Sequence, residues 1–218
     1  MICGVDEAGR GPVIGPLVVV GVTFKDDSIL IENNVRDSKI ISPKRRNELA
    51  KIIKNNSLNY EIIKISASDI DDLRKIITIN EIEVNAFSKI IEKLQPKICY
   101  VDAADVNDVR FGKNIQQKIK YKTKIISKHK ADSIYPIVGA ASILAKTIRD
   151  KEIINISRIL EKKINLPLGS GYPSDPITIN FLNKWFEKYG FFPPYVRLSW
   201  KTSQKIINKY KNHKIKSF

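Results

Sequence analysis

Leu17 to Phe24, LVVVGVTF, constrains the fold more than any other segment: it is an apolar run rich in β-branched residues. Branching at Cβ favours extended backbone, so this run is expected as a strand. Ile2 to Asp6 reads as a second strand, joined to the first by a short Gly- and Pro-rich link. Ser42-Pro43 opens a helix through a Ser cap and a Pro in the first turn, with Leu49, Ile52 and Ile53 as its apolar face. Leu58 to Ile65 returns as a strand. Ser68 to Lys75 and Ile79 to Leu94 read as helices, the second amphipathic through Ile82, Ala86, Ile90 and Leu94, and Pro96 stops it before a strand at Lys97 to Ala103. A helix about Asn114 to Lys118, a strand at Lys122 to Ile126 and a long helix from Asp132 follow. The order is strand-strand-helix-strand, then strands alternating with helices, which implies an α/β fold: a mixed sheet with helices packed on it.

Beyond Leu166 the texture changes. PLGSGYPSDP is turn-rich, and after it come a helix near Asp175 to Tyr189, an FFPP break and a basic amphipathic tail. The expected division is a core over 1–165 and a helical appendage over 166–218, within the reach of a 218-residue chain. Cys3 and Cys99, the only cysteines, lie in apolar runs; they are too few for a cysteine zinc site and point to a reducing, cytoplasmic setting. No run reaches the roughly 18 apolar residues of a spanning helix, and the start MICGVDEAGRG is unlike a signal peptide, so no membrane partner is expected. No dimer seam is visible, and a monomer is the expectation.

Lys and Arg number 38 against 23 Asp and Glu, a formal charge of +15 that favours a polyanionic partner. Ile, Lys and Asn dominate the whole chain, so part of the Lys excess reflects background composition. Two stretches are basic without interruption by acids: Lys113 to Lys130, which leads up to Asp132, and Lys201 to Phe218. In the second, Lys201, Lys205 and Lys209 recur at i, i+4 on one helical face, suited either to tracking phosphates or to plain solvation.

The acids carry the chemistry. Asp6 and Glu7 end the first strand, flanked by Gly4, Gly9, Gly11 and Pro12. Neighbours in a regular strand face opposite ways, so both serve one site only if the chain leaves strand geometry there; otherwise they are solvated acids at a turn. Asp102 follows Cys99 by the same interval as Asp6 follows Cys3, so parallel neighbouring strands in register would bring the two acids together at their C-terminal ends, where open α/β sheets place ligands. Carboxylates so placed repel, and a hard divalent cation, Mg²⁺ or Mn²⁺, relieves the repulsion. Asp132 precedes a segment with small residues Gly139, Ala140, Ala141 and Ala145, suited to close helix-sheet packing; its alternative role is that helix's N-cap. Gly9-Arg10-Gly11 presents unobstructed backbone N–H groups that can hold a phosphate or a sugar edge. There is no Walker or dinucleotide fingerprint, and His129 and His213, the only histidines, give neither Ser nor Cys a triad partner. Metal-assisted hydrolysis remains.

GVDEAGRGPVIGPLVVV, the DSK of Asp37 to Lys39 followed by SPKRR, NEIEVNAF, YVDAAD, KHKADSIYPIVGAASILAK and GSGYPSD occur in this order. Together they resemble ribonuclease HII in its archaeal form, from Ile2 to about Trp200. The resemblance implies an RNase H-like catalytic core and a C-terminal helical substrate-binding region. It maps a catalytic and metal-binding quartet onto Asp6, Glu7, Asp102 and Asp132. It further implies an endoribonuclease that hydrolyses the RNA strand of RNA/DNA hybrids and nicks duplex DNA 5′ of embedded ribonucleotides, leaving 3′-hydroxyl and 5′-phosphate ends. By the same resemblance Gly9, Arg10 and Gly11 recognise the ribose 2′-hydroxyl, Tyr172 stacks beside the next deoxyribose, and Lys39 and Lys146 are phosphate or active-site contacts. Two Mg²⁺ or Mn²⁺ ions about 3.5–4 Å apart suit such an in-line displacement once substrate is bound. One departure from the family's pattern is Gly139, where Ser is common; Gly lowers helix stability by about 1 kcal/mol relative to Ala, and loosened packing beneath Asp132 is expected. The competing readings are an RNase H-like DNA nuclease or resolvase, which would cut substrates without a ribonucleotide, and a basic binding protein whose acids are caps and turn residues.

Overall fold

The computed structural model describes residues 1–35 and 41–215, with side chains as far as residue 211. Strands β1 (Ile2–Ala8), β2 (Leu17–Phe24), β3 (Asn59–Ile65), β4 (Ile98–Asp102) and β5 (Lys124–Lys128) form a sheet in the order β3-β2-β1-β4-β5. β2, the β-branched run, is buried along its whole length. β1 pairs antiparallel with β2 and parallel with β4, and β4 pairs parallel with β5, so the sheet is mixed, as the element order implied. Cys3 lies opposite Cys99 in the parallel register, and both are buried free thiols.

The helices are α1 (Ser28–Glu32), α2 (Pro43–Asn56), α3 (Ala67–Leu73), α4 (Ile79–Leu94), α5 (Asp108–Lys118), α6 (Ala131–Ile134), α7 (Pro136–Ile164), α8 (Pro176–Tyr189) and α9 (Lys201–Ile215). Local chemistry sets many of their ends. Ser42 accepts from the Arg45 amide with Pro43 at the first helical position, and reciprocal capping boxes, Ser66 with Asp69 and Thr78 with Glu81, open α3 and α4. Gln95, left-handed at φ 47°, closes α4 before Pro96. Asn107 caps α5, which therefore begins at Asp108 and not near Asn114.

The long helix expected from Asp132 is two helices, with α6 ending at Ile134 and α7 starting at Pro136. The proline ring disfavours helical backbone in the residue before it, and Tyr135 is extended at φ −114°, ψ 116°. Asp132 accordingly lies inside the first turn of α6 and is not the cap of the long helix. Among the described residues no helix is long and apolar enough to cross a membrane.

Two compact units divide the chain. The first comprises 1–8, 18–64 and 77–148, and its core includes Val20, Phe24, Leu30, Leu49, Ile53, Ile137, Ile143 and Leu144. α7 lies so close to β1 that a Cβ on Gly4 would collide with the Ile137 carbonyl, a packing only glycine permits. The second comprises 9–17, 65–76 and the chain from Arg149, with a core of Val13, Ile14, Ile153, Leu160, Phe181, Trp185 and Phe192 among others. The two units interleave along the chain. Two early segments join the late chain through hydrogen bonds to its main chain: Val13 and Ile14 donate to the Gly171 carbonyl at 2.8 and 3.2 Å, and the Asp71 carboxylate accepts from the Leu198 and Ser199 amides. Such long-range pairings leave no mark on local composition.

Candidate active site

The first unit brings Asp6, Glu7 and Asp102 within electrostatic reach of one another at the C-terminal ends of parallel β1 and β4. Asp6 is 4% exposed; one carboxyl oxygen accepts from the Glu7 amide at 2.7 Å, and Ser142 on α7 hydrogen-bonds the same carboxyl. Burial pushes its pKa well above the ordinary carboxylate value, the neighbouring Glu7 and Asp102 charges push it further, and the two hydrogen bonds only partly offset this. β1 stays in strand pairing through Ala8, so the departure from strand geometry anticipated at Asp6-Glu7 comes only at Gly9, at φ 89°. Asp6 and Glu7 are electrostatic neighbours all the same.

Asp102 is the last residue of β4, and its Oδ1 accepts from the Ala131 amide at 2.7 Å. This bond satisfies a free N–H at the start of α6 and so sets Asp132, the next residue, beside the strand end. Asp132 is 3% exposed, and its carbonyl oxygen would be 3.0 Å from a Cβ on Gly139. Gly139 thus admits close packing beneath Asp132; the expected loosening is reversed, because absence of a Cβ lets α6 settle onto α7. Ser142, which the sequence reading did not single out, is a polar residue within the apolar stretch of α7, and Lys146 follows it by one helical turn on the same face. Lys39 lies outside the described residues.

The donors brought together are carboxylate oxygens under mutual repulsion, the chemistry that Mg²⁺ or Mn²⁺ satisfies. Among the described residues no three acidic, His or Cys side chains are drawn together tightly enough to grip an ion unaided. Mg²⁺ commonly binds through one or two carboxylates, several waters and a substrate phosphate, so the set fits an ion completed by substrate.

The second unit holds the other candidates. Gly9, Arg10 and Gly11 follow β1 directly, and a Cβ on Gly11 would be 3.7 Å from the Tyr172 ring, so this loop and the GSGYPSD turn meet. Tyr172 is 39% exposed with the Arg149 guanidinium 5.1 Å from its ring centroid; Arg149 also donates to the Ser170 carbonyl at 2.8 Å. The Asp175 carboxylate knits the turn, accepting from the Ser170 amide and hydroxyl, the Ile177 amide and the Thr178 hydroxyl. The Ser170 bonds above all pull its pKa down to about 2. A depressed carboxyl contributes stability that is complete above the ordinary carboxylate range and lost as pH falls towards about 2. Asp175→Asn is therefore expected to melt below the wild type at pH 7, with the gap closing between about pH 4 and pH 2; equal melting at pH 7 in thermal scans would refute this. Arg149, Arg197 and Trp200 were not singled out from sequence, and only their partners in space mark them.

The family model for ribonuclease HII matches residues 3–203. The chain belongs to the ribonuclease HII family. A ribonuclease HII of Thermococcus sibiricus is 46% identical over 98% of this chain and 94% of its own length, and that of Methanosarcina barkeri is 46% identical over 97% of each. The crystal structure of ribonuclease H2 from Pyrococcus horikoshii superposes with a TM-score of 0.88 at 38% identity, covering 96% of this chain and 98% of that one. A ribonuclease HIII solved with Mn²⁺ shares the fold at TM-score 0.76 and 17% identity. An Archaeoglobus fulgidus ribonuclease HII, 40% identical with a TM-score of 0.85, was solved in complex with PCNA. As a ribonuclease HII, the chain is an endoribonuclease with the RNase H-like α/β fold.

Proposed function

We propose that this ribonuclease HII hydrolyses the RNA strand of RNA/DNA hybrids and nicks duplex DNA on the 5′ side of an embedded ribonucleotide, leaving 3′-hydroxyl and 5′-phosphate ends. The observation that carries the assignment of the site is the buried Asp6 carboxyl, raised by burial and by Glu7 and Asp102 at the ends of two parallel strands. A carboxyl so stressed calls for a cation, and Asp6, Glu7, Asp102 and Asp132 are the residues that hold one or two Mg²⁺ or Mn²⁺ ions. The metal supplies charge stabilisation for an in-line displacement at phosphorus. Asp102 keeps α6 and Asp132 in place through the Ala131 amide, while Ser142 holds the Asp6 carboxyl. Lys146, and Lys39 beside it in role, offer charge to substrate phosphate.

Gly9, Arg10 and Gly11 read the ribose 2′-hydroxyl, the one group that separates RNA from DNA at a given position, and Tyr172 stacks beside the following sugar. Exposed Lys201, Lys205 and Lys209 on α9 track phosphates, so affinity falls steeply as salt rises.

The test is cleavage of an end-labelled DNA duplex bearing one ribonucleotide, with Mg²⁺ or Mn²⁺ and with chelator, beside all-DNA and single-stranded RNA controls. A metal-dependent nick 5′ of the ribonucleotide, absent from both controls, is expected. Equal cutting of the all-DNA duplex would move the assignment to a resolvase-like nuclease, and binding without any product to a non-catalytic binder.

A further inference from the structure

We propose that Arg197 and Trp200 are positioning residues that hold the Gly9–Gly11 main chain in the orientation that reads a ribose hydroxyl, an inference resting on the role given to that loop above. Arg197 is fully buried, and its guanidinium donates to three main-chain carbonyls: Nη2 to Gly9 at 2.6 Å, Nη1 to Arg10 at 2.9 Å and Nε to Gly15 at 3.0 Å. Trp200 Nε1 donates to the next carbonyl, that of Gly11, at 3.1 Å. Three consecutive carbonyls of the loop are thereby turned towards one pair of side chains.

The consequence for the opposite face follows from peptide geometry. In a planar trans peptide the C=O and N–H point in opposite directions, so fixing the Gly9 and Arg10 carbonyls sends the N–H groups of Arg10 and Gly11 away from the guanidinium. The peptide after Gly11 enters Pro12, which has no N–H. The N–H groups of Arg10 and Gly11 therefore face the same side of the loop, opposite the guanidinium, and the buried cation polarises the peptides that carry them. Gly9 makes the geometry accessible: its φ is 89°, and a Cβ there would lie 2.5 Å from the Pro16 carbonyl oxygen.

The clamp is itself held. The Trp200 ring lies 4.7 Å from the Arg197 guanidinium and 5.1 Å from that of Arg74, and the Asp71 carboxylate takes the Leu198 and Ser199 amides at 2.6 and 2.9 Å. A planar fork serves three carbonyls where the point charge of a lysine cannot, so Arg197→Lys is a substitution of geometry more than of charge.

The experiment compares affinities of the full chain for a duplex with one ribonucleotide and the same duplex in all-DNA form, in chelator so that neither is cut, with thermal melting to confirm folding. For the wild type the ribonucleotide duplex is the tighter ligand. In Arg197→Lys that preference is expected to fall about tenfold, and in Trp200→Phe, which keeps an aromatic face and loses the donor, about threefold, with all-DNA affinity unchanged. If Arg197→Lys does not fold, Trp200→Phe decides. A merely structural role would weaken both duplexes alike; that result, or full preference retained in the folded variants, overturns the proposal. A wild type without any ribonucleotide preference overturns the reading of the loop, and this inference with it.

Discussion

Asp6→Asn is expected to abolish cleavage and, in chelator at neutral pH, to raise the thermal midpoint of the protein. On the proposed assignment of Asp6 to the metal site, removing its carboxylate forfeits about 4 kcal/mol of transition-state stabilisation, a loss of about a thousandfold in turnover. The gain in stability has a separate origin. Burial, then Glu7 and Asp102, raise the Asp6 pKa well above the ordinary value, so the folded protein favours the protonated carboxyl. A raised carboxyl costs stability as pH climbs from its unfolded pKa through its folded one, and an amide does not ionise at all. Wild type and variant should melt alike near pH 3 and diverge towards pH 7, the variant being the more stable. Adding Mg²⁺ or Mn²⁺ should raise the wild-type midpoint by mass action and the variant's much less. Turnover assays and paired melts read the two effects independently. Wild-type turnover in the variant would remove Asp6 from the chemistry, and a lower midpoint in chelator would remove the repulsion argument.

Gly4→Ala carries the largest expected effect on folding. A Cβ at Gly4 meets the backbone of α7, colliding with the Ile137 carbonyl and lying 2.7 Å from the Val138 nitrogen. Backbone cannot rotate aside as a side chain does, so overpacking here costs about 3 kcal/mol. For a chain of this size that lowers the melting midpoint by about 6–12 °C. Any relaxation must move the start of α7 from β1, and with it Ser142, which hydrogen-bonds Asp6; activity in the surviving folded fraction should fall as well. An unchanged midpoint in calorimetry would show that α7 does not lie against β1 this closely.

The acids were legible because their placement follows from local rules plus one topological assumption. Cys3 and Cys99 define equivalent points on two apolar runs, and once those runs are parallel neighbours, Asp6 and Asp102 fall together. Asp132 is legible in the sequence as a candidate, and its place inside α6 has a local cause as well: Pro136 breaks the helix behind it. Intrinsic helix propensity is a poor guide at Gly139, because it ignores the Asp132 carbonyl packed over it. Propensity describes a helix in water, whereas this turn is buried against another piece of backbone.

By itself the sequence determined the strands, most of the helices and the acids at the strand ends, because β-branching, capping residues and hydrophobic period act over a few neighbouring residues. Only the tertiary structure decided that Gly9–Gly11, the Gly169–Gly171 turn and Arg197 to Trp200 belong to one compact unit, and that Ser142 serves Asp6. A guanidinium donating to main-chain carbonyls selects no particular side chain in its partner, since every residue has a carbonyl to offer. Contacts of that kind have no sequence period, and they exist only once the chain has brought residue 197 back to residue 9.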